Sequence, residues 1–95
     1  DLANKVAVYN GWGQDYFNNS KDCNTWIPAQ GTAIKCKIGS DITNAPGVWG
    51  LFSAANSGGF ITQQINDKDT NTIYFRNWYS DKSPVGWSKL TGAAV

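Results

Sequence analysis

Gly58-Gly59-Phe60-Ile61-Thr62-Gln63-Gln64-Ile65-Asn66, then Asp67-Lys68-Asp69-Thr70-Asn71, then Thr72-Ile73-Tyr74-Phe75-Arg76-Asn77-Trp78-Tyr79 is the stretch that decides the fold. Two runs rich in β-branched and aromatic residues flank five polar residues with turn-forming side chains, which predicts a β-hairpin. Alternation places Ile61 and Ile65 on one face of the first run. In the second run, Ile73 and Phe75 share one face while Tyr74, Arg76 and Trp78 take the other.

Working outward, the same alternation recurs at Ala33–Ile38, where Ile34, Cys36 and Ile38 point inward and Lys35 and Lys37 outward. Val48–Ser53 reads as a strand, with Ala54-Ala55-Asn56-Ser57-Gly58 as its turn, and Trp87–Leu90 reads as a last short strand. Pro28, Gly31, Pro46 and Pro84 lie in the segments between. Nearer the N-terminus, Lys5–Tyr9 alternates with Val6 and Val8 on one face. The segment from Asn10 to Ser20 is broken by Asn10-Gly11 and Gly13, and it ends on Asn18-Asn19-Ser20, a glycosylation sequon in form. No helical period of useful length occurs. The expected fold is all-β, a small antiparallel meander or sandwich. Its one apolar sheet face needs a cover, from the N-terminal aromatics or from another subunit.

Composition agrees. Aromatic residues make up 14% of the 95 residues, charged residues 16%, and neither Glu nor Met is present, which is poor material for helices and good material for strands and turns. A chain of this length forms one domain with a modest core. The net charge of +1, with no basic stripe, argues against nucleic acid as a partner. No apolar run approaches the roughly 18 residues of a membrane span, so no membrane insertion is expected. The opening Asp1-Leu2-Ala3-Asn4-Lys5 reads as cut from a longer chain, which puts targeting information elsewhere. Cys23 and Cys36 lie 13 positions apart. They are either a disulfide, contributing about 3 kcal/mol, or two separate buried thiols.

Catalysis finds little support. The chain has no His, so the usual proton shuttle near neutral pH is missing. All acids are Asp, mostly in turns, where backbone hydrogen bonding explains them. Asp67 and Asp69 stand too close together to flank a glycosidic bond. The run from Asp67 to Asn71 echoes the start of a calcium loop, but Thr72 stands where the loop needs Gly and Trp78 where it needs Glu. No enzyme activity, cofactor or metal is expected.

The excess is aromatic. Trp12, Tyr16, Trp26, Trp49, Tyr74, Trp78, Tyr79 and Trp87 are too many for so small a core, and Tyr and Trp present a flat apolar face with a polar tip, suited to interfaces and to sugars. Arg76 between Tyr74 and Trp78 suits an acidic or phosphorylated glycan; the alternative is a cation–π arrangement that stabilises the sheet. The candidate ligand-binding residues are Gln64, Tyr74, Arg76 and Trp78.

Five pieces in order, Asp22-Cys23-Asn24-Thr25, Asn44-Ala45-Pro46, Gly59-Phe60-Ile61-Thr62-Gln63, Asn71-Thr72-Ile73-Tyr74-Phe75-Arg76 and Trp87-Ser88-Lys89-Leu90, resemble the pyocin knob domain family, found near the tips of tail fibres of R-type pyocins and tailed phages. Cys23 replaces a frequent Leu of that family, which favours a buried, apolar Cys23. The first Trp of the family's closing Trp-Ser-Pro-Trp pattern is missing before Ser83-Pro84, leaving only Trp87. The resemblance covers residues 22–90. It divides the chain into a knob-like domain at 22–95 and residues 1–21 as a stalk end or extra strand. It implies a homotrimeric fibre tip, on a virion or phage-like particle, that attaches to a bacterial surface glycan such as lipopolysaccharide without catalysis. A structural spacer of the same fibre and a monomeric carbohydrate-binding module are the alternatives.

Overall fold

The alternating runs form the strands of one antiparallel meander. The computed structural model describes residues 21–93 and the backbone of residues 14–16. The expected strand at Lys5–Tyr9, the sequon and the side chains of Trp12 and Tyr16 lie outside the described residues. The sheet contains β1 (Gln14–Tyr16), β2 (Thr32–Ile38), β3 (Gly50–Ser57), β4 (Phe60–Asp67), β5 (Thr72–Tyr79) and β6 (Ser88–Thr91), in that spatial order. Strands β2 to β6 pair antiparallel with their sequence neighbours. Strand β1 adds to the edge of β2 in parallel, with Gln14 opposite Cys36.

β3 differs from its sequence reading. It begins at Gly50 and runs on through Ala54-Ala55-Asn56 to Ser57, residues expected to turn. The turn that closes β3 onto β4 is only Gly58-Gly59, with φ of 60° and 88°. Two successive positive φ angles are what a two-residue hairpin of matching twist requires, and glycine adopts them without a Cβ penalty. That tight turn pairs Ser57 with Phe60 and carries the ladder back through the weak strand formers, so tertiary pairing outweighs local propensity. The β4–β5 loop shortens correspondingly to Lys68–Asn71. Asp67 closes it by accepting from the Asp69 backbone at 2.9 Å and from the Thr70 hydroxyl at 3.0 Å.

Register divides the sheet into two faces. Ile34, Cys36 and Ile38 of β2, Phe52 and Ala54 of β3, Ile61, Gln63 and Ile65 of β4, and Thr72, Tyr74, Arg76 and Trp78 of β5 share one face. Connecting segments cover it rather than a second sheet. Trp26 stacks on Phe52 with ring centroids 4.2 Å apart and planes 13° apart. Ile42 is buried with them, and Ala45, Val48 and Trp87 pack against the same cluster. A parallel bridge between Asp22 and Thr43 ties the first two covering segments together, with Cys23 donating to the Thr43 carbonyl at 3.0 Å.

Cys23 and Cys36 are both free thiols, fully buried in this core. Burial pushes the Cys23 thiol up to about 11 and the Cys36 thiol up to about 12. At neutral pH both are therefore protonated, small apolar side chains.

Candidate functional site

Two constellations emerge, one on each face. The first is a closed polar network under the covering loops. Gln63 points inward from β4 between Ile61 and Ile65, and a buried amide must have its hydrogen bonds supplied. Its Nε2 donates to the Cys23 carbonyl at 2.7 Å and to the Trp26 carbonyl at 3.2 Å. Its Oε1 accepts from Arg76 Nε at 2.8 Å. The Arg76 guanidinium goes on to donate to the Val85 carbonyl at 2.9 Å and to Asn24 Oδ1 at 3.1 Å. It also lies over the rings of Trp87, 4.5 Å from the centroid, and Trp78, 4.8 Å from the centroid.

Trp87 Nε1 in turn donates to the Asn44 carbonyl at 2.8 Å, and Asn44 Nδ2 donates to Asp22 Oδ1 at 2.9 Å. Asn44 holds φ at 54°, a left-handed conformation that Asn tolerates better than most residues, and it is fixed there by its two partners. The hydrogen bond from Asn44, followed by that from the Asn24 backbone, holds the Asp22 carboxyl below its ordinary value.

Arg76 is thus a buried cation, 5% exposed, that makes no ion pair among the described residues. Carbonyl and amide oxygens take its N–H groups, and it lies over two indole rings. This is chemistry that guanidinium allows and ammonium does not. Burial lowers its pKa, yet guanidinium stays charged at any pH the fold tolerates.

This placement corrects the sequence reading of β5. The face carrying Tyr74, Arg76 and Trp78 was expected to be exposed to ligand; it is the covered one, with Trp78 6% exposed and Tyr74 packed on the core. Gln64, the fourth candidate, lies on the opposite face. The four residues therefore do not form one site. The cover is irregular loop, which carries no periodicity that could have marked this face as the inner one. The aromatic surplus resolves in the same way: Trp26 and Trp78 are buried and Tyr74 and Trp87 half-buried, leaving Trp49 and Tyr79 among the exposed large residues.

The second constellation is the open face, which no described segment covers. Register sets its side chains in rows across the strands. Phe60 stands opposite Tyr79; Thr62 lies between Ala55 and Asn77; Gln64 lies between Ser53 and Phe75; Asn66 lies between Leu51 and Ile73, and Ile73 meets Leu90. Small residues at Ala33, Ser53 and Ala55 lower the floor beside Phe75, Ile73 and Leu90. The result is a shallow concavity of about 620 Å³. One row beyond its Thr62–Asn77 pair, Phe60 and Tyr79 form a tilted ring pair, centroids 5.1 Å apart, and Gln64 Nε2 is steered by Asn66 Oδ1 at 2.9 Å. Sequence reading found Gln64 here but missed Phe60, Phe75 and Asn77. The signal was available as their i, i+2 spacing, once the faces are assigned.

No cluster of potential metal ligands occurs among the described residues. Comparison of the chain with family models, with curated proteins and with solved structures gives no match.

Proposed function

We propose that the domain is a non-catalytic attachment knob of a tail fibre, similar to the pyocin knob family, that holds a bacterial surface polysaccharide when assembled as a homotrimer. The observation that carries this reading is convergence. All five stretches that resemble the family meet at the polar network: Asp22, Cys23 and Asn24 from the first, Asn44 from the second, Gln63 from the third, Arg76 from the fourth and Trp87 from the fifth. Residues that form one interlocked network have a physical reason to occur together, and a chance resemblance has none. The network also gives the domain a rigid frame, and a rigid frame is what loops and faces used for recognition need.

The open face favours a second reading, a spacer in the same fibre. Ile73 and Leu90 stand side by side on it, with Leu90 64% exposed, and an exposed aliphatic pair of this kind suits burial between subunits.

Light scattering after size exclusion, followed by adsorption of the fluorescently labelled protein to a panel of bacterial cells, tests the proposal. A mass of three chains with adsorption that excess purified surface polysaccharide abolishes is the expected result. A trimer that adsorbs to no cell and binds no polysaccharide leaves the spacer. A monomer that binds oligosaccharide points instead to a free-standing carbohydrate-binding module.

A further inference from the structure

The open face is not uniform, and its composition distinguishes what can cover it. Toward Leu90 it is aliphatic. On β4 and β5, toward the Gly58-Gly59 turn, it is a mixture of rings and neutral hydrogen-bonding groups: Phe60, Thr62, Gln64, Phe75, Asn77 and Tyr79. No charged side chain points from the open face of either strand, because Asp67 and Arg76 both belong to the covered register.

Tyr79 is 59% exposed and Phe60 38% exposed, so a large part of each ring surface is left by the fold. Thr62 and Asn77, side by side across the strands, make no side-chain hydrogen bond to another described residue. A dry protein surface laid over this half would strand those groups, at about 1–3 kcal/mol for each one left unsatisfied. A ligand bearing many hydroxyls would satisfy them, since an amide offers two donors and an acceptor in one plane. It would also set its apolar C–H faces on the rings. Neighbouring strands stand about 4.8 Å apart, so Thr62, Asn77 and the ring pair lie within reach of adjacent sugar units. Lys35 of β2 lines the far side of the same concavity, two strands from Gln64, but β4 and β5 add no charge of their own, so their half of the face favours neutral chains over acidic ones.

We propose that the β4–β5 half of the open face is a binding site for a neutral, hydroxyl-rich sugar chain, with Phe60 and Tyr79 as its stacking platform and Thr62, Gln64 and Asn77 as its polar contacts. The assignment rests on the attachment reading above and adds the place and the class of glycan. The test is a microarray of bacterial surface polysaccharides, neutral and acidic chains both represented, probed with the wild-type protein, with Asn77→Ala, with Tyr79→Ala and with Lys82→Ala as a control on the exposed β5–β6 connection. Thermal melts establish that each variant is folded.

Binding to neutral chains, weakened at least tenfold in Asn77→Ala and in Tyr79→Ala and unchanged in Lys82→Ala, is the expected result. Polysaccharide binding that survives both open-face substitutions overturns this site and leaves the attachment function standing. Binding to acidic chains alone overturns the glycan class. Binding to no polysaccharide by the wild-type protein overturns the site and the attachment function together.

Discussion

The two faces of the sheet use similar residue types for different ends. On the covered face, Gln63 and Arg76 have their hydrogen-bonding groups engaged by named partners, and the rings of Trp78 and Trp87 are spent on the guanidinium. On the open face, Gln64 and Asn77 project beside Phe75 and Tyr79 with room around them. An amide next to an aromatic ring is therefore no signature of a ligand site by itself. What matters is whether another part of the chain already satisfies the amide, and that depends on which face the loops cover.

The sharpest way to break this contrast is to remove the covered cation. Arg76→Met keeps the bulk but leaves Gln63 Oε1, Asn24 Oδ1 and the Val85 carbonyl without their donor, at a cost on the order of 3 kcal/mol. Urea unfolding followed by circular dichroism should register it. Arg76→Lys should recover less than half, because a single ammonium cannot fork to three acceptors or spread over two rings. Adding Gln63→Leu to Arg76→Met should cost less than the sum of the two single changes, because the pair shares one hydrogen bond. A loss below about 0.5 kcal/mol for Arg76→Met would mean that the network is incidental to the fold.

Smaller effects sharpen the same comparison. Gly59→Ala, at φ 88° and with a new Cβ at 3.0 Å from the Ser80 hydroxyl, should destabilise by about 1–2 kcal/mol, seen as a lower melting temperature. Asp22 accepts its two hydrogen bonds more strongly as an anion, and they hold its carboxyl below the ordinary carboxylate value, first through Asn44 and then through the Asn24 backbone. Its contribution is therefore present above about pH 4 and lost as pH falls through the lower folded-state value. Asn44→Ala should flatten that part of the stability–pH curve, and an unchanged curve would remove Asp22 from the network. Last, Gln64→Ala and Asn77→Ala on the open face should move stability by no more than about 0.5 kcal/mol. A larger loss would mean that these amides hold the sheet and are not available to a partner.

The legibility of the sequence follows the same division. Strand β2 and the β4–β5 pair were readable because alternation with period two is a local property of the chain: Ile34, Cys36 and Ile38 declare the inner face of β2, and Ile61 and Ile65 the inner face of β4. The end of β3 was unreadable because Ala54-Ala55-Asn56-Ser57 has little intrinsic preference for a strand, and the Gly58-Gly59 turn imposes it. The orientation of β5 was ambiguous because both of its faces are apolar enough to be buried. Ile73 and Phe75 compete with Tyr74 and Trp78, and the choice was made from outside the strand, by Asn24 and Trp26 some fifty positions before it and by Trp87 in the loop after it. Of the four candidate residues, only Gln64 falls on a face that a ligand can reach; the environment of Arg76 depends on contacts across 9 to 52 positions, and Tyr74 and Trp78 share its covered face.

That long reach has a consequence for how the domain comes into being on the ribosome. Strands β3 to β6 each pair antiparallel with their immediate predecessor, so the hairpins can form in the order of synthesis. The network cannot. It needs Val85 and Trp87 from near the C-terminus to meet Asn24 and Asn44, so it closes only when almost the whole domain has emerged. A chain ending at Asp81 should keep the far-ultraviolet dichroism of the sheet, lose the near-ultraviolet signal of its fixed indoles and bind a hydrophobic dye, whereas the chain through Ala93 should keep both signals and bind no dye. Within this fold, residues 85–87 therefore lock residues 22–24, and the fixed side-chain order of the network should be gained late rather than strand by strand.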